Sequence, residues 1–176
     1  ALVWQAALRS HENAFNAEAA RVRDNVLGNI KITDEVITNL ATVVGSTTHV
    51  DADQFRVFSE DVLRRNRFLL SSSYLPLVTG PERRVFEQAR HTSGFPTFRI
   101  TTREQRIYLP APERDRYFPL IYLEPFEPQT AVMIGFNVLS EPELAAPALA
   151  AIDSGAASPA APRLLDQGVH GYWLFK

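Results

Sequence analysis

RYFPLIYLEPFEPQTAVMIGFN, residues 116–137, is the stretch whose reading decides the fold. Two apolar runs, 117–123 and 131–136, flank a turn-rich connection at 124–130 that carries Pro125 and Pro128. Runs of this length, rich in Ile, Val, Phe and Tyr and bounded by proline, predict adjacent antiparallel strands, a hairpin at the centre of a sheet. The first run places Tyr117, Pro119, Ile121 and Leu123 on one face and Phe118, Leu120 and Tyr122 on the other. A strand apolar on both faces must be covered on both.

Outside that centre, composition narrows the classes. A chain of 176 residues is long enough to bury a sizeable core as one ordinary domain. A net charge of −2 gives no basic excess for nucleic acid. Cysteine is absent and the four histidines, at 11, 49, 91 and 170, share no short spacing, which removes thiol catalysis and argues against a zinc site. There is no 18-residue apolar run and no signal-peptide pattern. The abrupt helical start and the apolar strand at the end are expected of a segment taken from a longer protein.

Upstream, Trp4, Leu8, Phe15, Val22, Val26, Ile30, Ile37, Leu40 and Val44 recur at helical intervals, interrupted only by Gly28. This predicts a long helix over 1–46, roughly 60 Å at about 1.5 Å per residue, ahead of a domain over 47–176. Leu8, Phe15 and Val22, seven apart, form a seam suited to a second copy of the chain. Asp51 with Gln54 resembles a capping box opening a helix through about 66, with Phe55, Phe58, Val62 and Leu63 inward. A strand over 68–78 is expected next, then a helix opening at Pro81 that buries Val85, Phe86 and Ala89, is decorated by Arg83, Arg84, Glu87 and Arg90, and ends at Gly94.

Short strands are expected at 97–100 and 106–109, and an exposed loop at 110–116. Downstream of the hairpin, Ser140 is placed to cap a helix with Leu144, Leu149 and Ile152 inward and Gly155 at its end, while Pro147 should delay or kink it. Residues 156–162 read as a loop, and 163–165 and 171–175 as the last strands. These elements predict the fold class α+β: a long N-terminal helix followed by a mainly antiparallel sheet with flanking helices.

No G-x-S-x-G elbow or glycine-rich phosphate cradle occurs, which argues against a serine hydrolase and against nucleotide hydrolysis. The informative residues are polar groups set in apolar strands: Tyr74, Tyr122, Glu124, Asn137 and Tyr172, with Phe118 on the same strand face as Tyr122. Such groups need hydrogen-bond partners, and a pocket lets a ligand supply them. The site is expected against the sheet between the hairpin and a cover formed by the 140s helix or the 110–116 loop. Arg83 and Arg84 suit either an anionic ligand or a solvated helix face.

Taken together, FRVFSEDVLRRNRFLLSSSYLPLVTGPERRVFE at 55–87, YFPLIYLEP at 117–125, IGFN at 134–137 and AAIDSG at 150–155 resemble the CHASE domain, the extracytoplasmic sensory domain of receptor histidine kinases and diguanylate cyclases. The resemblance covers about residues 53–175. Asn137 stands where the family commonly has aspartate, and Pro147 interrupts the following helix.

The resemblance implies a PAS-like, periplasmic, non-catalytic ligand-binding module without cofactor or metal, with membrane helices before Ala1 and after Lys176. Small-molecule ligands compatible with it are purine-like compounds, amino acids, short peptides and small organic acids. Two other readings stand beside it: a small enzyme using Glu124 with an arginine or tyrosine, and a ligand-free dimerisation spacer.

Overall fold

The computed structural model describes the backbone of residues 2–45, 50–105, 107–164 and 168–176, with side chains from residue 14 onward except at 44–45 and 164. The side chains of Trp4, Leu8, His11 and Val44, and all of His49, Arg106 and Leu165, lie outside the described residues. The chain divides into two compact units, Ala1–Val36 and Ile37–Lys176. The described residues of the first, 2–36, lie in helix α1, Leu2–Gly45, along which Phe15, Val22, Val26 and Ile30 are solvent-exposed.

In the second unit the order is α2 (Ala52–Arg65), β1 (Ser72–Tyr74), β2 (Val78–Thr79), α3 (Arg83–Thr92), β3 (Thr101–Glu104), β4 (Ile107–Pro110), β5 (Arg116–Tyr117) and β6 (Tyr122–Glu124). Then come α4 (Pro142–Ser154), β7 (Ser158–Pro159), β8 (Arg163–Leu164), β9 (His170–Gly171) and β10 (Leu174–Phe175). The architecture is α+β. The strands form five antiparallel pairs, β1–β6, β2–β5, β3–β4, β7–β10 and β8–β9, and not the one broad sheet expected.

Proline is the physical reason, since it has no N–H to give to a ladder. Pro76 divides the 68–78 stretch, of which only β1 and β2 are strand, and Pro119 separates β5 from β6.

The central hairpin is shorter than its apolar runs. Residues 131–133 belong to a 3-10 helix, Pro128–Met133, because Pro128 takes the first helical position and Glu127 and Thr130 bond each other's backbone in a capping box. Pairing begins only at Gly135, whose N–H donates to Leu120, and continues from Leu120 N–H to Phe136 and from Val138 N–H to Phe118. Residues 97–100 form no strand either. The Ile100 N–H donates to the Glu87 carboxylate, and its carbonyl accepts from Ala111 N–H and Arg83.

The helices keep their expected places but turn different faces inward. Asp51 caps α2 by accepting from the amides of Asp53 and Gln54, yet the buried residues are Phe55 and Ser59, with Phe58 46% exposed. On α3, Val85 is 74% exposed and Ala89 is also exposed, whereas Arg90 is buried. The inward stripe is Arg83, Phe86, Glu87 and Arg90, a helical i, i+3, i+4, i+7 series in which charged groups replace apolar ones.

Helix α4 starts at Pro142 with Glu141 at its N-cap, and Ser140 instead donates to the Asn137 carbonyl. Pro147 lies inside α4 without delaying it, and Leu144, Ala148 and Ala151 are the buried face. Gly155, with φ 63°, closes the helix in the left-handed conformation that glycine adopts without penalty.

Two cores result. One gathers Phe55, Val78, Phe98, Ile100, Tyr117, Ile121 and Tyr122. The other packs Phe136, Val138 and Phe175 on the Leu144–Ala148–Ala151 face of α4, with Phe118 and Trp173 at its margin.

Candidate functional site

Helix α3 opens on the E-R-x-x-F-E motif of residues 82–87, in which Glu82, Arg83 and Glu87 are each bonded to backbone or side-chain groups nearby. Glu82 accepts from the Thr79 hydroxyl and amide, which hold its carboxyl below the ordinary range. Arg83 reaches the Ala111 carbonyl at 2.8 Å, the Tyr117 hydroxyl at 3.2 Å, the Ile100 carbonyl at 3.3 Å and Glu87 at 3.1 Å. The Tyr117 hydroxyl in turn donates to Pro112 and accepts from Arg114 N–H. The 110–116 loop is thus tied to α3.

One turn beyond Glu87 the pattern changes. Arg90 is only 6% exposed, and Gly94, with φ 94°, turns the chain so that Phe95 returns against it. The Arg90 guanidinium lies 4.3 Å from the Phe95 ring centre, 5.1 Å from that of Tyr122 and 5.7 Å from that of Phe98. Its Nη1 donates to the Tyr122 hydroxyl at 3.1 Å, and that hydroxyl donates to the Val50 carbonyl at 3.1 Å. Its Nε and Nη2 have no hydrogen-bond partner among the described residues.

Among the described residues no carboxylate pairs with Arg90, because Glu87, the acid nearest in sequence, is held by Arg83 and Ile100. Cation–π contacts return about 0.5–2 kcal/mol each, against several kcal/mol for desolvating a charge. The site therefore holds a cation with two unmet donors.

Tyr122 is wrapped from the other side by aromatic rings. Phe55 of α2 stacks on it at 5.7 Å and Tyr74 of β1 at 6.1 Å, while Phe55 and Tyr74 are 6.3 Å apart. The register Tyr74↔Tyr122 in the β1–β6 pair fixes that contact. Burial, with a smaller contribution from Tyr122, raises the Tyr74 hydroxyl above its ordinary pKa of 10.0. Ser59, one turn after Phe55 on the same buried face, also has an unpartnered hydroxyl.

The six residues expected to bind a ligand are divided by the fold. Tyr74 and Tyr122 meet in the first core. Asn137, fully buried, accepts from the amides of Phe118 at 2.8 Å and Leu139 at 3.3 Å, while its Nδ2 is unpartnered. Phe118 leans toward Phe175 in the second core, with 6.5 Å between ring centres. Glu124 ends β6 and accepts from Phe126 N–H, and Tyr172 is 41% exposed. An open depression of about 450 Å³ separates residues 113–116 from Leu139, Ala145 and Leu149, close to the expected cover yet away from Tyr122.

Arg90 is the residue that reading the sequence missed. Its charge and its place in the last turn of a helix read as a solvated, dipole-complementing position. The hint that distinguishes it is the ring of Phe86, Phe95 and Phe98 around it in sequence.

Comparison with protein families matches residues 48–171 to the CHASE domain. The chain belongs to the CHASE domain family. No curated protein matches the chain. CHASE is an extracellular sensory domain of signalling receptors and is not a catalytic domain. The match begins just before α2 and ends at Gly171, so it spans the first core, the Arg90 site and the second core except Trp173 and Phe175. No helix among the described residues is long and apolar enough to cross a membrane.

Proposed function

We propose that this CHASE domain is the periplasmic, ligand-binding module of an inner-membrane receptor whose output is a histidine kinase or diguanylate cyclase, with membrane helices flanking the present sequence. The observation that carries ligand binding is Arg90, a buried guanidinium with Nε and Nη2 unpartnered beside the Phe55–Tyr74–Tyr122 cluster. A fold that holds such a group without a counter-charge is completed by a molecule that brings an acceptor.

The hydroxyl of Tyr122 gives that event a route outward, since it bonds both Arg90 and Val50. Val50 lies between the end of α1 and the start of α2. A ligand that draws Arg90 away from Tyr122 changes the hold on that junction, and the equilibrium between two helix settings follows. The receptor works as a homodimer joined through α1.

The ligand-free spacer reading draws on a different fact, that the rings around Tyr122 already pack on one another. Mass spectrometry of small molecules released from the purified, denatured 176-residue protein, followed by their return to refolded protein in a melting assay, separates the two. A released compound that raises the melting temperature supports the sensor. Nothing released, and no shift from a library of metabolites, sinks it.

A further inference from the structure

The two free donors of Arg90 have a specific geometry. Nε–H and Nη2–H lie on one edge of the guanidinium and point the same way, forming the parallel fork that matches the two oxygens of a carboxylate. The remaining nitrogen, Nη1, is already bonded to Tyr122, so the free edge is the one suited to a bidentate anion.

The surroundings narrow the anion further. Arg90 supplies a single positive charge, and Phe95, Phe98 and Tyr122 cover it with rings. A monoanion neutralises that charge, whereas a phosphate dianion leaves one negative charge uncompensated among aromatic groups.

We propose that Arg90 receives the carboxylate of a small organic acid, through Nε and Nη2, and that the acid's apolar body lies against the Phe55–Tyr74–Tyr122 rings. This rests on the ligand-binding reading above and adds the ligand's chemical class.

The test uses the full 176-residue chain with acetate, benzoate and phenylacetate, each titrated beside its neutral amide by calorimetry. At least one carboxylate should bind about tenfold or more tightly than its amide, the scale set by a charge-assisted fork, and Arg90→Gln should abolish the difference. Because that variant removes a buried group, the wild-type protein gives a second reading: the Arg90 Nε–H resonance should move downfield when the bound carboxylate is added. Amides binding as tightly as acids, or no carboxylate binding, overturns the inference. A neutral molecule released from the purified protein and held equally by Arg90→Gln overturns the carboxylate class while leaving the sensor standing.

Discussion

The side-chain oxygen of Asn137 accepts the Phe118 amide at 2.8 Å and so joins the two chain segments that carry the central pairing. The same oxygen takes the Leu139 amide and caps the short helix Val138–Ser140. Asn137→Ala should therefore leave two backbone donors unmet and cost roughly 2–6 kcal/mol, at about 1–3 kcal/mol for each unsatisfied buried group. Asn137→Asp keeps an acceptor at that place and should lose less. Urea denaturation of the two variants checks the order, and equal losses would show that the oxygen is not what matters.

Gly135 is held in the left-handed region with φ 95°, and a Cβ built there collides with the Arg99 carbonyl oxygen. Both costs apply to any substitution, about 1–2 kcal/mol for the backbone and about 1–3 kcal/mol for the overpacking. Gly135→Val should lower stability by about 2–5 kcal/mol in chemical denaturation. A loss under about 1 kcal/mol would mean that the segment at residues 99–101 moves aside freely.

The sequence carried the element order well because capping and breaking residues act locally: Asp51 starts α2, Gly94 follows α3 and Gly155 closes α4. It carried strand extent poorly. Apolar runs at 117–123 and 131–136 look alike, but Pro119 breaks the first and the Glu127–Thr130 capping box turns part of the second into helix. Burial was misread on α3 for a chemical reason. Hydrophobic periodicity cannot see a face made of Arg83, Glu87 and Arg90, whose charges are met by carbonyls, a carboxylate and rings from residues up to 34 positions away. Tyr74 and Tyr122 were legible as a pair of interest because each places a hydroxyl in an apolar strand. Arg90, the partner of the Tyr122 hydroxyl, became visible only with the fold.

Arg83 makes contacts that lysine cannot reproduce, since one planar fork serves Glu87, Ile100, Ala111 and Tyr117 together. Arg83→Lys should destabilise the domain by about 2–4 kcal/mol, through two or more lost bonds to buried acceptors. It should also loosen the 110–116 loop. Faster amide exchange at Ala111 and Arg114 is the accompanying sign, and unchanged exchange there would detach the loop from the E-R motif.

The raised pKa of the Tyr74 hydroxyl carries a direction in pH. Burial is the main cause and Tyr122 the lesser one, so folding favours the neutral phenol. A group with a folded-state pKa above its unfolded value contributes stability that is intact below the unfolded pKa, near 10.0, and is lost as pH rises through the folded value. Alkaline melts should therefore show a falling midpoint above about pH 10. Tyr74→Phe, which removes the titration and breaks no hydrogen bond among the described residues, should flatten that slope while leaving neutral-pH stability within about 1 kcal/mol. An equal slope in the variant would place the alkaline loss elsewhere.

Phe15 is 73% exposed on α1, and Val22, Val26 and Ile30 follow it on one side of the helix at intervals of seven, four and four. An exposed stripe of large apolar groups is unfavourable in water and is stabilised by burial against an equal stripe. A second copy of the chain offers that stripe. Phe15→Glu would bring two carboxylates together in the seam of a dimer, at a cost in repulsion and desolvation, while in the monomer each stays solvated, so it should convert a dimer to a folded monomer without lowering the stability of the sensor unit. Sedimentation velocity across a concentration series, with a melt of each species, measures both. A wild-type chain that stays monomeric at high micromolar concentration removes the stripe as a dimer contact of this segment.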